Sequence, residues 1–452
     1  MPVRIYISTM ITAVISAGLY YILLFHTPRE NFFQLIFLFG ALSACYILLV
    51  KAAKNQGINY VVTITVLFHL IPLISPNILP VLSDDFYRFV WDGQLLVHGI
   101  NPFAAIPEVY MENPPSALAY GLTEELFRGL NSKAYFTIYP PVLQGVFYLS
   151  ARISPESIAG SVMVMKGIIL VAEAGSIWMM VRLLRHFQLP VWQVAWYAFN
   201  PLVIVELSGN LHFEALMIFF LLWAFLWLAE GKWLLSSIPF ALAVGSKLLP
   251  LMLLPLLIRR LGWGKTLVYG TMVVLITGML FIPVFDLDTF LNLYESIDLY
   301  FHKFEFNASI YYLIRWVGYR ITGYNIIQLI GKYLALAVFV GIGIYTFLEK
   351  KPGWKNLPES FVWIFLMYFS LASIVHPWYT TTLVAFSVFT RFRFPVIWSL
   401  VVPLSYFTYR TTAYHENLWL TALEYLIVVV WIIFEVKNQM GSKTVKPPDQ
   451  PV

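Results

Sequence analysis

"IYISTMITAVISAGLYYILLF" (Ile5–Phe25) holds no charged side chain across a length sufficient to cross a bilayer core. It is too long and too evenly apolar for a cleaved leader, and no small-residue cleavage site follows it, so it reads as a retained helix. The rest of the chain repeats this character. Of 452 residues, 60% are hydrophobic and 12% charged, whereas a soluble domain carries about 25% charged residues. The expected fold is therefore all-α and polytopic, with about 11–14 membrane helices, several of them short and broken.

Clear spans are expected at 5–25, 31–50, 59–80, 136–152, 162–184, 210–229, 267–286, 325–348, 360–375, 395–409 and 418–436. Shorter apolar pieces at 191–207, 234–245, 248–258 and 377–390 read as half-spans. Breaks fall at Pro201, at the Gly245-Ser246-Lys247 joint and at Pro377, and broken helices in a bilayer pack in protein or line a cavity. Lys51, Lys54, Arg259, Arg260, Lys350, Lys351 and Lys437 mark the cytoplasmic side, which puts 81–135 and 287–324 outside. The residues from 437 to 452 read as a disordered cytoplasmic tail. The single cysteine, Cys45, excludes a disulfide framework and a Cys-based metal site. The net charge of +5 is scattered over short loops and forms no stripe suited to nucleic acid.

The first outer loop opens with "SDDFYRFVWDGQLLVHGINPF" (Ser83–Phe103). Ionisable groups at a membrane boundary are costly and usually functional. Ser83 suits a helix cap, and Asp84, Arg88 and Asp92 are spaced to line one face. Read structurally, the motif is a capped helix with an Asp84–Arg88–Asp92 ion-pair ladder. Read chemically, it offers a carboxylate base beside a cation that can meet a departing phosphate. Further along, Leu118, Leu122, Leu126 and Leu130 recur every four residues within 116–131, a pattern for one helix lying on the membrane surface. The second loop carries Glu295, Asp298, His302, Lys303, Glu305 and Asn307.

The run "SDD-YR--WDG------INP" resembles the first-loop signature of bacterial GT-C glycosyltransferases of the polyprenol-phosphate-sugar-dependent, mannosyltransferase-like group. The likeness continues in order through "IYPPVLQGVFYLSAR" (138–152), "NPLVIVELSGNLHFEALM" (200–217), "SKLLPLMLLPLLIRR" (246–260), "FNASIYYLIR" (306–315) and "HPWY" (376–379). This resemblance implies a helical fold with an outward-opening cavity. It implies inverting transfer of a sugar, mannose or a related hexose, from a polyprenyl-phosphate carrier to a hydroxyl of a lipid or glycan acceptor. The first-loop aspartate that serves as base in the family maps here to Asp84 or Asp85, with Asp85 preferred. Two positions depart from the family's pattern: Glu214 stands where many relatives carry Asp, and Phe213 where many carry Asn.

Arg88, Lys247 and His376 are the expected contacts of the donor phosphate. Lys247 at a helix break is equally read as snorkelling, and His376 before Pro377 as a hydrogen-bonded cap. Asp92, Tyr139, Asn210, His212, Glu214, Trp378 and Tyr379 are the expected sugar or acceptor contacts, Trp378 and Tyr379 through ring stacking. A divalent ion at His212 and Glu214 is possible but unsupported, so no metal or other cofactor is expected. Glu206, in an apolar run, calls for a partner such as Lys166 or an arginine. No phosphate-binding glycine loop or dinucleotide fingerprint is present, which favours a lipid-linked donor. The competing class is a transporter or lipid-carrier flippase, although the breaks are not symmetrically placed.

Overall fold

The computed structural model describes residues 3–74, 78–284, 287–302, 304–411 and 413–444. Lys303 of the second loop and 445–452 of the expected tail lie outside the described residues. Among those described, all regular structure is helical, apart from one isolated parallel bridge between Phe306 and Ile374.

Among the described residues, six helices are long and apolar enough to cross a membrane: Ile7–His26, Phe32–Ala53, Ile158–His186, Trp263–Val284, Ile327–Leu348 and Leu418–Gln439. A seventh span arises if Pro201–Gly209 and Glu214–Ala229, bent by 111° relative to one another, are counted together. The other expected spans are shorter helices. Proline is the physical reason, because it lacks an N–H and clashes with the preceding turn. Pro72, Pro255, Pro377 and Pro403 each fall in a 3₁₀ segment that ends or interrupts an apolar run. The last helix continues to Thr444, so the chain is helical eight residues into the expected tail.

The bent pair is built locally. Asn200 caps its first half by accepting from the Leu202 and Val203 amides at 3.0 and 3.3 Å, with Pro201 at the first helical position. Ile204–Gly209 is then a π-helical turn, a form that recurs at functional sites. A Cβ at Gly209 would stand 2.4 Å from Leu24 Cδ2, so a side chain there would displace the end of Leu24. Leu211 takes a left-handed φ of 62° before the second half begins.

The first loop differs from expectation between 116 and 131. Two short helices, Pro114–Ala119 and Glu124–Gly129, replace the single surface helix, with Gly121 at φ 73° between them. Leu122, Leu126 and Leu130 pack into the core, and only Leu118 of the repeat is exposed. The two loops touch. Asn292 Nδ2 donates to the Phe103 carbonyl at 2.8 Å and Ser296 Oγ to that of Phe136 at 3.2 Å. They therefore share one end of the molecule.

Candidate active site

The two aspartates at the head of the helix Asp85–Val97 have different partners. Asn210 Oδ1 accepts from the Leu82 amide at 3.2 Å, tying the loop's first residues to the end of the π turn. Arg29, from the turn between the first two spans, reaches Asp84 Oδ2 with Nη2 at 2.6 Å, and its guanidinium lies 5.2 Å above the Tyr409 ring. Burial works against the Arg29 charge, but Asp84 more than offsets it and leaves the guanidinium pKa above its ordinary value. Among the described residues, no such cation meets Asp85. Asn131 Nδ2 donates to its Oδ1 at 2.8 Å, and Ser83 Oγ accepts from its amide at 3.3 Å.

The expected ladder is half present. Arg88 Nε bonds Asp92 Oδ1 at 2.8 Å, but Asp84 has turned away to Arg29. Arg88 and Asp92 are both buried. Arg88 Nη1 donates to the carbonyls of Tyr135 and Ser132 at 2.8 and 3.4 Å. Asp92 Oδ2 accepts from Thr137 Oγ1 at 2.5 Å and Gln144 Nε2 at 3.0 Å. These contacts make the pair a clamp that holds 132–137 against the helix. Tyr139, just beyond, packs edge-on against Phe89 and Phe147, which also meet Phe213.

The later motifs converge from separate elements. The Phe306–Ile374 bridge, with Phe306 N–H to the Ser373 carbonyl at 3.0 Å and Val375 N–H to the Phe306 carbonyl at 2.8 Å, fixes His376 beside the second loop. Trp378 lies between two imidazoles: His212 at 3.7 Å and 11°, His376 at 4.3 Å and 7°. Both indole faces are thus covered, so the expected stacking of Trp378 on a sugar ring would have to displace an imidazole. Tyr379 lies under the Lys247 ammonium at 4.3 Å and against Phe369. Lys247 is ion-paired with Glu214. Asn210, buried, also donates to the Val205 carbonyl at 3.0 Å.

Glu206 is fully buried, and neither Lys166 nor an arginine is its partner. Tyr406 donates to its Oε1 at 2.6 Å, and His212 Nδ1 lies 3.1 Å from its Oε2. Lys166 Nζ reaches the Pro72 carbonyl at 3.4 Å instead. Tyr406 and Tyr409 are 5.8 Å apart, Tyr409 and Phe306 5.7 Å, and Phe306 and His376 4.8 Å. One run of contacts therefore joins Asp84 and Arg29 to His376, Trp378 and His212. Among the described residues, no group of three or more His, Cys, Asp or Glu side chains is arranged to hold a metal ion.

Sequence reasoning missed Arg29, Asn131, Tyr406 and Tyr409. Arg29 lies in a charged turn between apolar helices, where a cation reads as a topology signal, and the tyrosines lie in an apolar run. Residues 10–261, more than half of the chain, match the model of the MptA_B family, described as alpha-(1->6)-mannopyranosyltransferase, N-terminal domain. No curated protein matches.

Proposed function

Because the chain belongs to the alpha-(1->6)-mannopyranosyltransferase family, we propose that it moves mannose from a polyprenyl-phosphate carrier to an acceptor hydroxyl on a lipid or glycan. The protein is an integral membrane protein with several apolar spans. The reaction is assigned to the outer face of a bacterial cytoplasmic membrane.

Asp85 is the base in this reading. It takes the proton of the acceptor hydroxyl as that oxygen bonds to C1 of the mannose. The C1–O bond to phosphate breaks, and its electron pair leaves with the polyprenyl phosphate. A single displacement inverts C1, so an α product calls for a β-linked donor. Lys247 and His376 meet the phosphate charge, for which the ammonium exchanges part of its contact with Glu214. Arg88 and Asp92 hold 132–137 in place, and Asn210 holds the loop that carries the aspartates. Tyr139, His212 and Glu214 border the sugar or acceptor, and Tyr379 supports Lys247.

The observation that carries the reading is the asymmetry of the two acids. Asp84 is ion-paired with Arg29 at 2.6 Å, whereas the Asp85 carboxylate meets the Asn131 amide and, among the described residues, no cation. The test is transfer of radiolabel from polyprenyl-phosphate mannose into extractable product by purified protein in proteoliposomes. Asp85→Asn is expected to lower transfer about 10²–10⁴-fold with an unchanged melting temperature. A wild-type rate in this variant removes Asp85 as base. Label that crosses the bilayer while still on its carrier supports the flippase reading instead.

A further inference from the structure

Glu206 and Tyr406 take no part in the chemistry above, yet they hold a charged side chain inside the bent pair. A buried carboxylate in a bilayer is costly unless partnered, and this one has a hydrogen bond at Oε1 but none at Oε2 among the described residues. Tyr406 donates to Oε1 at 2.6 Å. His212 Nδ1 stands 3.1 Å from Oε2 and 3.0 Å from the Glu206 carbonyl oxygen. With Nδ1 as donor to that carbonyl, Nε2 is the acceptor of the ring tautomer. The Trp378 stack, at 3.7 Å and 11°, fixes the ring plane. With the plane and one edge fixed, the direction of Nε2 is fixed too.

Nε2 is buried and has no hydrogen-bond partner among the described residues. A buried polar atom left unmet costs about 1–3 kcal/mol, and an apolar ring of the same shape would stack on Trp378 without that cost. What the imidazole adds is a lone pair at Nε2. We propose that Nε2 accepts a hydrogen bond from one hydroxyl of the donor hexose, and that Glu206 and Tyr406 are positioning residues that aim it. This rests on the mannosyl-transfer reading above. A hydroxyl has the proton that Nε2 as an acceptor requires, whereas an ionised phosphate oxygen has none. The closed faces of Trp378 leave the edge of His212, rather than the indole, to meet the sugar.

The test uses full-length protein in proteoliposomes with polyprenyl-phosphate mannose and its four monodeoxy analogues at C2, C3, C4 and C6. Wild-type protein is expected to use one analogue at least about 10-fold less well than the parent in kcat/KM, the size of one lost hydrogen bond. His212→Asn keeps an amide near the Nδ1 position and loses the Nε2 contact; it is expected to use that analogue and the parent equally well. His212→Gln places an amide near Nε2 and is expected to keep part of the discrimination. Tyr406→Phe is expected to weaken the same discrimination with an unchanged melting temperature. Equal loss on all five donors in His212→Asn, or wild-type discrimination in that variant, overturns the proposal. If His212→Asn does not fold, His212→Gln and Tyr406→Phe decide by the same comparison. A wild-type protein that accepts no mannosyl phosphate sinks the parent reading together with this one, whereas an active protein showing uniform loss sinks this one alone.

Discussion

Asp84 and Asp85 are adjacent in sequence, but only one of them meets a cation. An arginine at 2.6 Å occupies the Asp84 carboxylate, so a substrate hydroxyl would have to compete with that ion pair. Removing Arg29 frees Asp84 and places two unneutralised carboxylates at one helix start. Arg29→Ala and Asp84→Asn are therefore expected to be non-additive, with a coupling of about 0.5–3 kcal/mol in the transfer barrier. Additive effects in that double-mutant cycle would show the pair to be irrelevant to the site. Asp92 presents a different case. Taking away one member of a buried ion pair costs about 3–5 kcal/mol, so Asp92→Ala should fail by unfolding, seen as a lost or lowered melting transition, and not by lost chemistry alone. The Arg88–Asp92 rung was legible in the sequence because i,i+4 spacing on a helix brings side chains together. The Asp84–Arg29 contact was not, since its members come from different turns and nothing in either segment encodes their meeting. The same limit applies to Trp378. An aromatic beside His-Pro reads as a sugar platform until an imidazole from a distant segment, His212, is found stacked on it opposite the neighbouring His376.

Between elements, the helix Asp85–Val97 packs on Pro141–Ile153 through Gly93, where a Cβ would stand 2.4 Å from the Phe147 carbonyl oxygen. Backbone cannot rotate out of the way, so Gly93→Ala must push the two helices apart. The expected loss is about 1–3 kcal/mol. Gly145, on the partner helix, has nothing within 4 Å of the same construction. Gly145→Ala should be neutral or stabilising by up to about 1 kcal/mol, from helix propensity alone. Thermal melts in detergent compare the two, and equal shifts would refute the close approach at Gly93. The long helices were legible because runs of some 20 apolar residues have few other uses. The first loop shows where that reading stops. Leucines at 122, 126 and 130 do mark one buried face, but an apolar face looks the same whether it meets lipid or protein, and here it meets the core. The break at Gly121 follows from a left-handed φ that a glycine permits without announcing it.

Across the whole molecule, hydropathy reports what is apolar and not what touches lipid; among the described residues six helices, or seven with the bent pair, are long and apolar enough to cross a membrane, and the other apolar runs form shorter helices. The two faces can still be separated by argument. Ile327–Leu348 begins beside Asn325, which donates to Glu305 of the second loop at 2.5 Å. It ends beside Glu349, which pairs with Arg260 at 2.5 Å. Twenty-two helical residues span about 33 Å, roughly the hydrocarbon thickness. The loops that carry Asp85 and the cations at Arg259, Arg260, Lys350 and Lys351 therefore lie at opposite ends, and the orientation proposed above places the latter in the cytoplasm. Glu112 and Lys351 are exposed at the two ends. In a protein carrying Cys45→Ser, Glu112→Cys should react with a membrane-impermeant maleimide in intact spheroplasts, and Lys351→Cys only after permeabilisation. The reverse pattern would put Asp85 on the cytoplasmic side, where the carrier lipid would have to present its sugar inward and the proposed outward-facing reaction could not occur.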